Sequence, residues 1–258
     1  MGIDLLLRRR MMFGEDGFSV SPFGKVMFST GNLQYQSSNS VWSFADYQWS
    51  MGGTFAYGTS GYNNGQTCYM PTSTSTDPND YYSGDLVGTA DWGYNQISNG
   101  GNSTNLWRTL SKDEWSYLLF TRQTESGFRF VKCCLTWLNC QGVIVFPDEY
   151  DNNLSIQSMN NKSAAFTSYS VASASDWSTN FGGKGCVFLV TNYTSGNGWY
   201  WTASYGTAGS GDSVHGGYNV AIFERDIDIG IHLPSDSNQY AIGNNTASRI
   251  FVRLVQDC

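Results

Sequence analysis

Charged side chains are scarce in this chain. Only 14% of its 258 residues are Asp, Glu, Lys or Arg, and 14 basic residues face 21 acidic ones for a net charge of −7. Neutralising a phosphate backbone takes a face of Lys and Arg, so this balance excludes nucleic acid as a partner. The one basic run, Arg8-Arg9-Arg10, follows Ile3-Asp4-Leu5-Leu6-Leu7. That apolar stretch is too short to span a bilayer and has its charge on the wrong side for a secretory signal, so neither membrane insertion nor an export signal is expected. Leu6 also stands where an N-myristoylation pattern needs Ser or Thr.

Histidine is nearly absent, with only His215 and His232. Acid–base chemistry near neutral pH would rest on these two, and neither has a local nucleophile or orienting partner. The cysteines stand at 68, 133, 134, 140, 186 and 258, without C-x-x-C spacing and far from both histidines, which argues against a zinc site. Most lie in apolar runs such as Phe130-Val-Lys-Cys-Cys-Leu135 and read as reduced, buried thiols. Adjacent Cys133 and Cys134 on a strand would point to opposite faces and so would not bridge each other. Nucleophile-elbow, zinc-protease and phosphate-loop motifs are all missing. Asp226-Ile-Asp-Ile-Gly230 carries alternating acids, but Gly230 stands where a calcium loop needs a further oxygen ligand and no closing Glu follows. The alternation of Ile227, Ile229 and Ile231 reads instead as a strand with one wet face. No metal, cofactor or catalytic residue is therefore expected, and the chain reads as a binding protein, not an enzyme.

What the chain has in quantity is Gly 29, Tyr 16 and Trp 9, with 40% hydrophobic residues overall. Tyr and Trp supply large amphipathic contact area at low rotamer cost, and Ser, Gly and Asn adapt their hydrogen bonding, a mixture shared with antibody paratopes. A loop-rich domain with an aromatic core and no special partner would have the same composition. The C-terminal quarter is more pointed. Two strand-like runs, Trp199-Tyr-Trp-Thr-Ala-Ser204 and Ile250-Phe-Val-Arg-Leu-Val255, enclose a long polar stretch of Gly, Ser, Asn, Asp and Tyr. Strands at both ends of such a stretch are expected to hold its ends in one sheet while its side chains face solvent.

Residues 1–16 read as an appended N-terminal arm, and residues 17–258 as a single α+β domain with long irregular loops. Phe18-Ser-Val20 and Lys25-Val-Met-Phe28 suggest a hairpin, and Asn32–Gln36 with Val41–Phe44 continues the half-buried alternation. Residues 51–89 read as a long irregular insert. Ser111-Lys-Asp-Glu114 is a capping box, and Trp115, Leu118 and Leu119 share one face, so a helix over 111–121 with that face buried is predicted. A second helix is predicted at 173–180 around Trp177, with strands at Phe128–Val131, Gly142–Phe146 and Cys186–Val190.

The run Leu106-Trp-Arg-Thr-Leu-Ser-Lys-Asp-Glu-Trp-Ser-Tyr-Leu118-Leu-Phe-Thr-Arg122 resembles the capped helix of the formylglycine-generating-enzyme type of C-type lectin fold. Tyr200-Trp-Thr-Ala-Ser204 and Phe251-Val-Arg-Leu-Val255 resemble the strands that flank its ligand-facing loops. The enzyme branch uses paired cysteines in its C-terminal region, whereas no Cys occurs between Cys186 and Cys258 here. The calcium-dependent sugar-binding lectins carry an E-P-N or Q-P-D loop, and His232-Leu-Pro-Ser235 has the proline without those neighbours. The better match is a third branch: the chain is similar to the variable proteins of diversity-generating retroelements, found on phage tail fibres and on bacterial surfaces, particularly of gut Bacteroidales.

That resemblance implies a C-type lectin scaffold displaying a hypervariable face, with a variable region at about 200–255. Diversification at adenines of Asn codons cannot yield Lys, Met, Trp, Gln or Glu, and between Thr202 and Ile250 only Glu224 and Gln239 belong to that set. The expected ligand-binding residues are Tyr205, His215, Asn219, Phe223, Arg225, His232, Asp236, Asn238, Tyr240 and Asn244. By the period of two, Tyr218, Val220 and Ile222 would face the core, with Asn219, Ala221 and Phe223 outward, or the reverse under a one-residue slip. The implied partner is a cell-surface protein or glycan, and the implied location a virion tail fibre or a cell surface. A surface adhesin or pilus-tip domain of the same fold without diversification is the alternative. The oligomeric state stays open, a homo-oligomer included, with the Leu/Arg arm at residues 3–12 offering an attachment point.

Overall fold

The structure is a computed structural model that describes residues 17–36, 38–52, 61–63, 66–68, 85–151, 154–156, 158–191, 198–206, 217–223, 229–232 and 251–258. In chain order its strands are β1 (Phe18–Ser19), β2 (Lys25–Phe28), β3 (Leu33–Gln36), β4 (Val41–Phe44), β5 (Gly61–Asn63), β6 (Gln66–Cys68), β7 (Arg108–Thr109), β8 (Phe130–Leu135), β9 (Cys140–Val145), β10 (Ser170–Val171), β11 (Val187–Val190), β12 (Gly198–Gly206), β13 (Gly217–Phe223), β14 (Ile229–His232) and β15 (Leu254–Asp257). Helix α1 (Lys112–Ser116) and helix α2 (Ala174–Asn180) interrupt them, so the architecture is α+β.

β1 and β2 form the expected hairpin, and β15 lies between β2 and β7, giving the order β1-β2-β15-β7. A second four-stranded sheet has the order β10-β8-β9-β11, with β10 parallel to β8 and the other pairs antiparallel. The central strands of this sheet are covered on both faces. Phe130, Val143, Val145 and Leu189 join one apolar cluster with Trp115, Leu118 and Leu119, while Val131, Cys133, Ile144 and Phe188 join another with Trp177 and Phe181. Burial on both faces is why these strands read as near-continuous apolar runs. A third cluster, including Trp92, Trp107, Trp201 and Val252, lies beneath the β3–β4 hairpin.

The helix predicted at 111–121 is present with a change of pitch. Ser111 Oγ accepts from Glu114 N at 3.2 Å while Glu114 Oε2 accepts from Ser111 N at 2.8 Å, completing the capping box. From Tyr117 to Thr121 the helix widens to a π turn, closed by Arg122 N donating to Tyr117 O at 2.9 Å. Trp115, Leu118 and Leu119 are fully buried. Arg122 then enters the interior, its guanidinium donating to Leu118 O and Asp148 Oδ1, both at 2.7 Å, and to Phe146 O. In α2, Ser173 caps Asp176 N at 3.1 Å and Trp177 is buried.

Several sequence expectations are corrected. The strand expected at Phe128–Val131 runs instead from Phe130 to Leu135, because Lys132 does not end it. The Lys132 ammonium lies 5.3 Å from the Phe166 ring centre, so the residue stays inside the buried strand. Within the stretch expected to be irregular, β5 pairs with β6, and residues Gly88–Ala90 form a 3₁₀ turn. Asp91, buried just after that turn, accepts from Gly93 N, Thr109 N and Thr109 Oγ1, each at 2.8 Å, and fixes the segment against β7. Burial pushes the Asp91 carboxyl up, against the pull of those donors. Cys133, Cys134, Cys140 and Cys186 are buried free thiols, whereas Cys258 is exposed, because it follows the last strand instead of lying in an apolar run.

Candidate recognition face

The strands expected to frame the polar stretch stand side by side but belong to two sheets. β12 leads the three-stranded sheet β12-β13-β14, whereas β15 belongs to the sheet of β1, β2 and β7. A parallel bridge between Tyr200 and Phe251 joins them, with Phe251 N donating to Trp199 O at 2.8 Å and Trp201 N to Phe251 O at 2.9 Å. The separation follows from β12 itself. One of its edges pairs with β13, and along the rest Ala203 N donates to Leu110 O while Ala203 O accepts from Leu86 N, both at 2.8 Å. A continuous ladder to β15 has no room to form.

The sheet has a defined register. Trp201, Val220 and His232 form one row, Tyr200, Ala221 and Ile231 the next, and Gly198, Phe223 and Ile229 the last. A bulge between Trp201 and Tyr205 shifts the pairing before Tyr205 meets Tyr218. α1 runs alongside all three strands, and Lys112 N donates to Ser204 Oγ at 2.9 Å. Tyr200 and Trp201 are both buried, although adjacent strand residues point to opposite faces. β12 is therefore clamped on both sides, Tyr200 against Trp115 and Phe251, and Trp201 against Trp92.

A buried polar hub lies beneath the bridge. Tyr200 Oη donates to Val190 O at 3.1 Å, and Asn32 Nδ2 donates to Met51 O at 3.2 Å and reaches Tyr200 Oη at 3.5 Å. Arg253, 1% exposed, directs its terminal nitrogens to Asn32 Oδ1 and Gln48 Oε1, each at 3.4 Å. Burial pulls the Arg253 guanidinium down to about 10, which leaves it charged at neutral pH, and the same burial pushes the Tyr200 hydroxyl well above its usual range. The hub fastens three backbone stations: Met51, Val190 and the Tyr200–Phe251 bridge. Sequence reasoning missed it because Phe251-Val-Arg-Leu-Val255 reads only as a strand flanking the polar stretch, with no role for Arg253, while all five residues are buried. A lone Arg in an otherwise apolar run was the available signal.

Of the expected ligand-binding residues, Tyr205, Asn219, Phe223 and His232 fall on the backbone of this one sheet. His215, Arg225, Asp236, Asn238, Tyr240 and Asn244 lie outside the described residues, as do Asp226 and Asp228. The orientation expected for Tyr218 to Phe223 concerns side chains that are likewise outside the description, while the strand that carries them is present as β13. Among the described residues no three His, Cys, Asp or Glu side chains gather as a metal-holding group, and no helix is long and apolar enough to cross a membrane. No protein-family model, curated protein or solved structure matches the chain.

Proposed function

We propose that this protein is a recognition protein in which a C-type-lectin-type scaffold presents a variable binding face built on β12, β13 and β14, diversified by a retroelement for attachment to a cell-surface protein or glycan. The observation that carries the reading is the Tyr200–Phe251 bridge above its buried hub. Two ends of a long polar stretch, held side by side on a clamped base, allow side chains between them to change without disturbing the core. The lectin-type scaffold rests on the capped helix at Ser111 and on the two flanking strands standing together as the resemblance implies. The binding residues are Tyr205, His215, Asn219, Phe223, Arg225, His232, Asp236, Asn238, Tyr240 and Asn244, and the role is non-catalytic.

Sequencing the DNA around the coding region tests the diversification. A near-copy of the stretch encoding residues 200–255, differing mainly at adenines and lying beside a reverse transcriptase, is expected. If that copy is missing, the reading reverts to a fixed adhesin of the same fold.

A further inference from the structure

Away from the β12–β14 sheet, aromatic side chains from three elements meet at the surface. The first is the turn that follows β4, where Gln48 Oε1 accepts from Phe188 N at 2.6 Å and Gln48 Nε2 donates to Cys186 O at 3.4 Å. The Gln48 amide thus takes the place of a pairing strand along the edge of β11. Beside Gln48, Tyr47 is exposed and Trp49 half-buried against the core, and their rings stack with centres 5.3 Å apart and planes within 8°. The second element is the β8–β9 hairpin, whose tip, closed by left-handed Asn139, brings Trp137 edge-on to Trp49 at 5.9 Å. The third is α2, from which Trp177 meets Trp49 edge-on at 6.2 Å.

The platform is rigid below and open above. Trp177 is buried and packs on Phe181 and Phe188, so it fixes Trp49 from beneath. Trp49 and Trp137 are half-buried, and Tyr47 is 58% exposed. Each indole carries an N–H donor at its edge. Asp46, also exposed, brings a carboxylate acceptor to the residue beside Tyr47.

We infer that Tyr47, Trp49 and Trp137 form a second binding site, separate from the variable face, for the ring of a neutral sugar. A pyranose presents an apolar C–H face that stacks on an aromatic ring, and equatorial hydroxyls that reach donors and acceptors at the ring's edge. The exposed ring of Tyr47 offers the stacking face, and Asp46, next to it in the chain, an acceptor. Phosphorylated or nucleic-acid ligands fit poorly, since Asp46 and the net charge of −7 repel them. A broad protein interface fits poorly too. The large hydrophobic side chains exposed among the described residues are Phe23, Tyr47 and Val87, and only Tyr47 belongs to this patch.

The test is an array of neutral, unphosphorylated gluco-, galacto- and manno-oligosaccharides probed with the full chain, followed by tryptophan-fluorescence titration of each glycan that binds. A saturable change in tryptophan emission is expected. Tyr47→Ala should weaken binding by about tenfold or more, as for loss of a central aromatic anchor, while Tyr47→Phe keeps the ring and the affinity. Trp137→Ala should weaken it as well, and substitutions at Tyr205 and Asn219 should leave it unchanged. Because Tyr47 is exposed, its variants should keep the thermal midpoint, so a loss of binding cannot be ascribed to unfolding. Failure of every neutral glycan to bind, or binding that Tyr47→Ala does not alter, would overturn the proposal. Binding governed by Tyr205 or Asn219 would also overturn it and move the sugar to the variable face.

Discussion

Replacing Asp148 should destabilise the fold more than any exposed substitution. Its carboxylate accepts from Arg122 Nη1 at 2.7 Å, from Ser19 N at 3.1 Å and from Ser19 Oγ, so it joins the π turn after α1 to β1. The Arg122 side chain is 0% exposed and the Asp148 side chain 11%. Removing one partner of a buried ion pair costs about 3–5 kcal/mol, because the other charge is left uncompensated. Arg122 keeps the carbonyls of Leu118, Phe146 and Arg129 as acceptors, so Asp148→Ala belongs near the lower end, about 3 kcal/mol. Asp148→Asn retains an acceptor for Ser19 and should cost roughly half as much. The exposed Lys25 partner at 3.4 Å adds little.

The same site sets an acid dependence. Burial alone would raise the Asp148 carboxyl, but the hydrogen bonds from Ser19 and Arg122 outweigh it and hold the group below its usual value. A carboxylate depressed in the fold contributes stability that is complete above the unfolded value of about 3.9 and is lost as pH falls through the folded one. Urea unfolding followed by circular dichroism from pH 6 to pH 2.5 should show this loss in the parent chain and a smaller one in Asp148→Asn. The midpoint should move without a change in slope. A cost below about 1 kcal/mol for Asp148→Ala, or an undiminished acid dependence in Asp148→Asn, would refute the argument.

Trp115→Ala should cost about 3–5 kcal/mol, since the fully buried indole packs between Phe28 and Tyr200, and thermal unfolding would expose an error if the midpoint stayed put. Ser111→Ala removes the Oγ acceptor of the capping box and should cost about 1 kcal/mol by urea titration, whereas Ser111→Asp should recover most of it. Chelator should leave the melting temperature unchanged, because the alternating acids at Asp226 and Asp228 lack the oxygen set that calcium requires. A rise in melting temperature on adding calcium would contradict that.

The sequence revealed most about segments where local chemistry and packing agree. Ser111 and Glu114 identify the helix start because both halves of the capping box lie within one turn. The helix end at Thr121 was legible too, but its widening to a π turn was not, because that turn carries the Arg122 guanidinium to Asp148, a partner far along the chain. The partners of Lys132 and Arg253 had no sequence signal for a shared reason: each is a cation inside an apolar run whose partners lie far along the chain, Phe166 for one, and Asn32 and Gln48 for the other. At the candidate face, the alternation at Tyr218–Phe223 and at Ile229–Ile231 announced β13 and β14. The long-range bridge between Tyr200 and Phe251 has no local signature, and neither does the turn of Gln48 toward Phe188.

The most direct test of a variable face on a fixed base is a displayed library with Tyr205, His215, Asn219, Phe223, Arg225, His232, Asp236, Asn238, Tyr240 and Asn244 randomised together. Each clone would be scored for protease resistance and for binding to a panel of purified surface proteins and glycans. On the proposed face these positions are solvent-exposed, where single substitutions usually change stability by about 0.5 kcal/mol or less, so most clones are expected to remain folded while their target preferences diverge. A library in which most clones lose protease resistance, or in which folded clones all share one binding profile, would contradict the account.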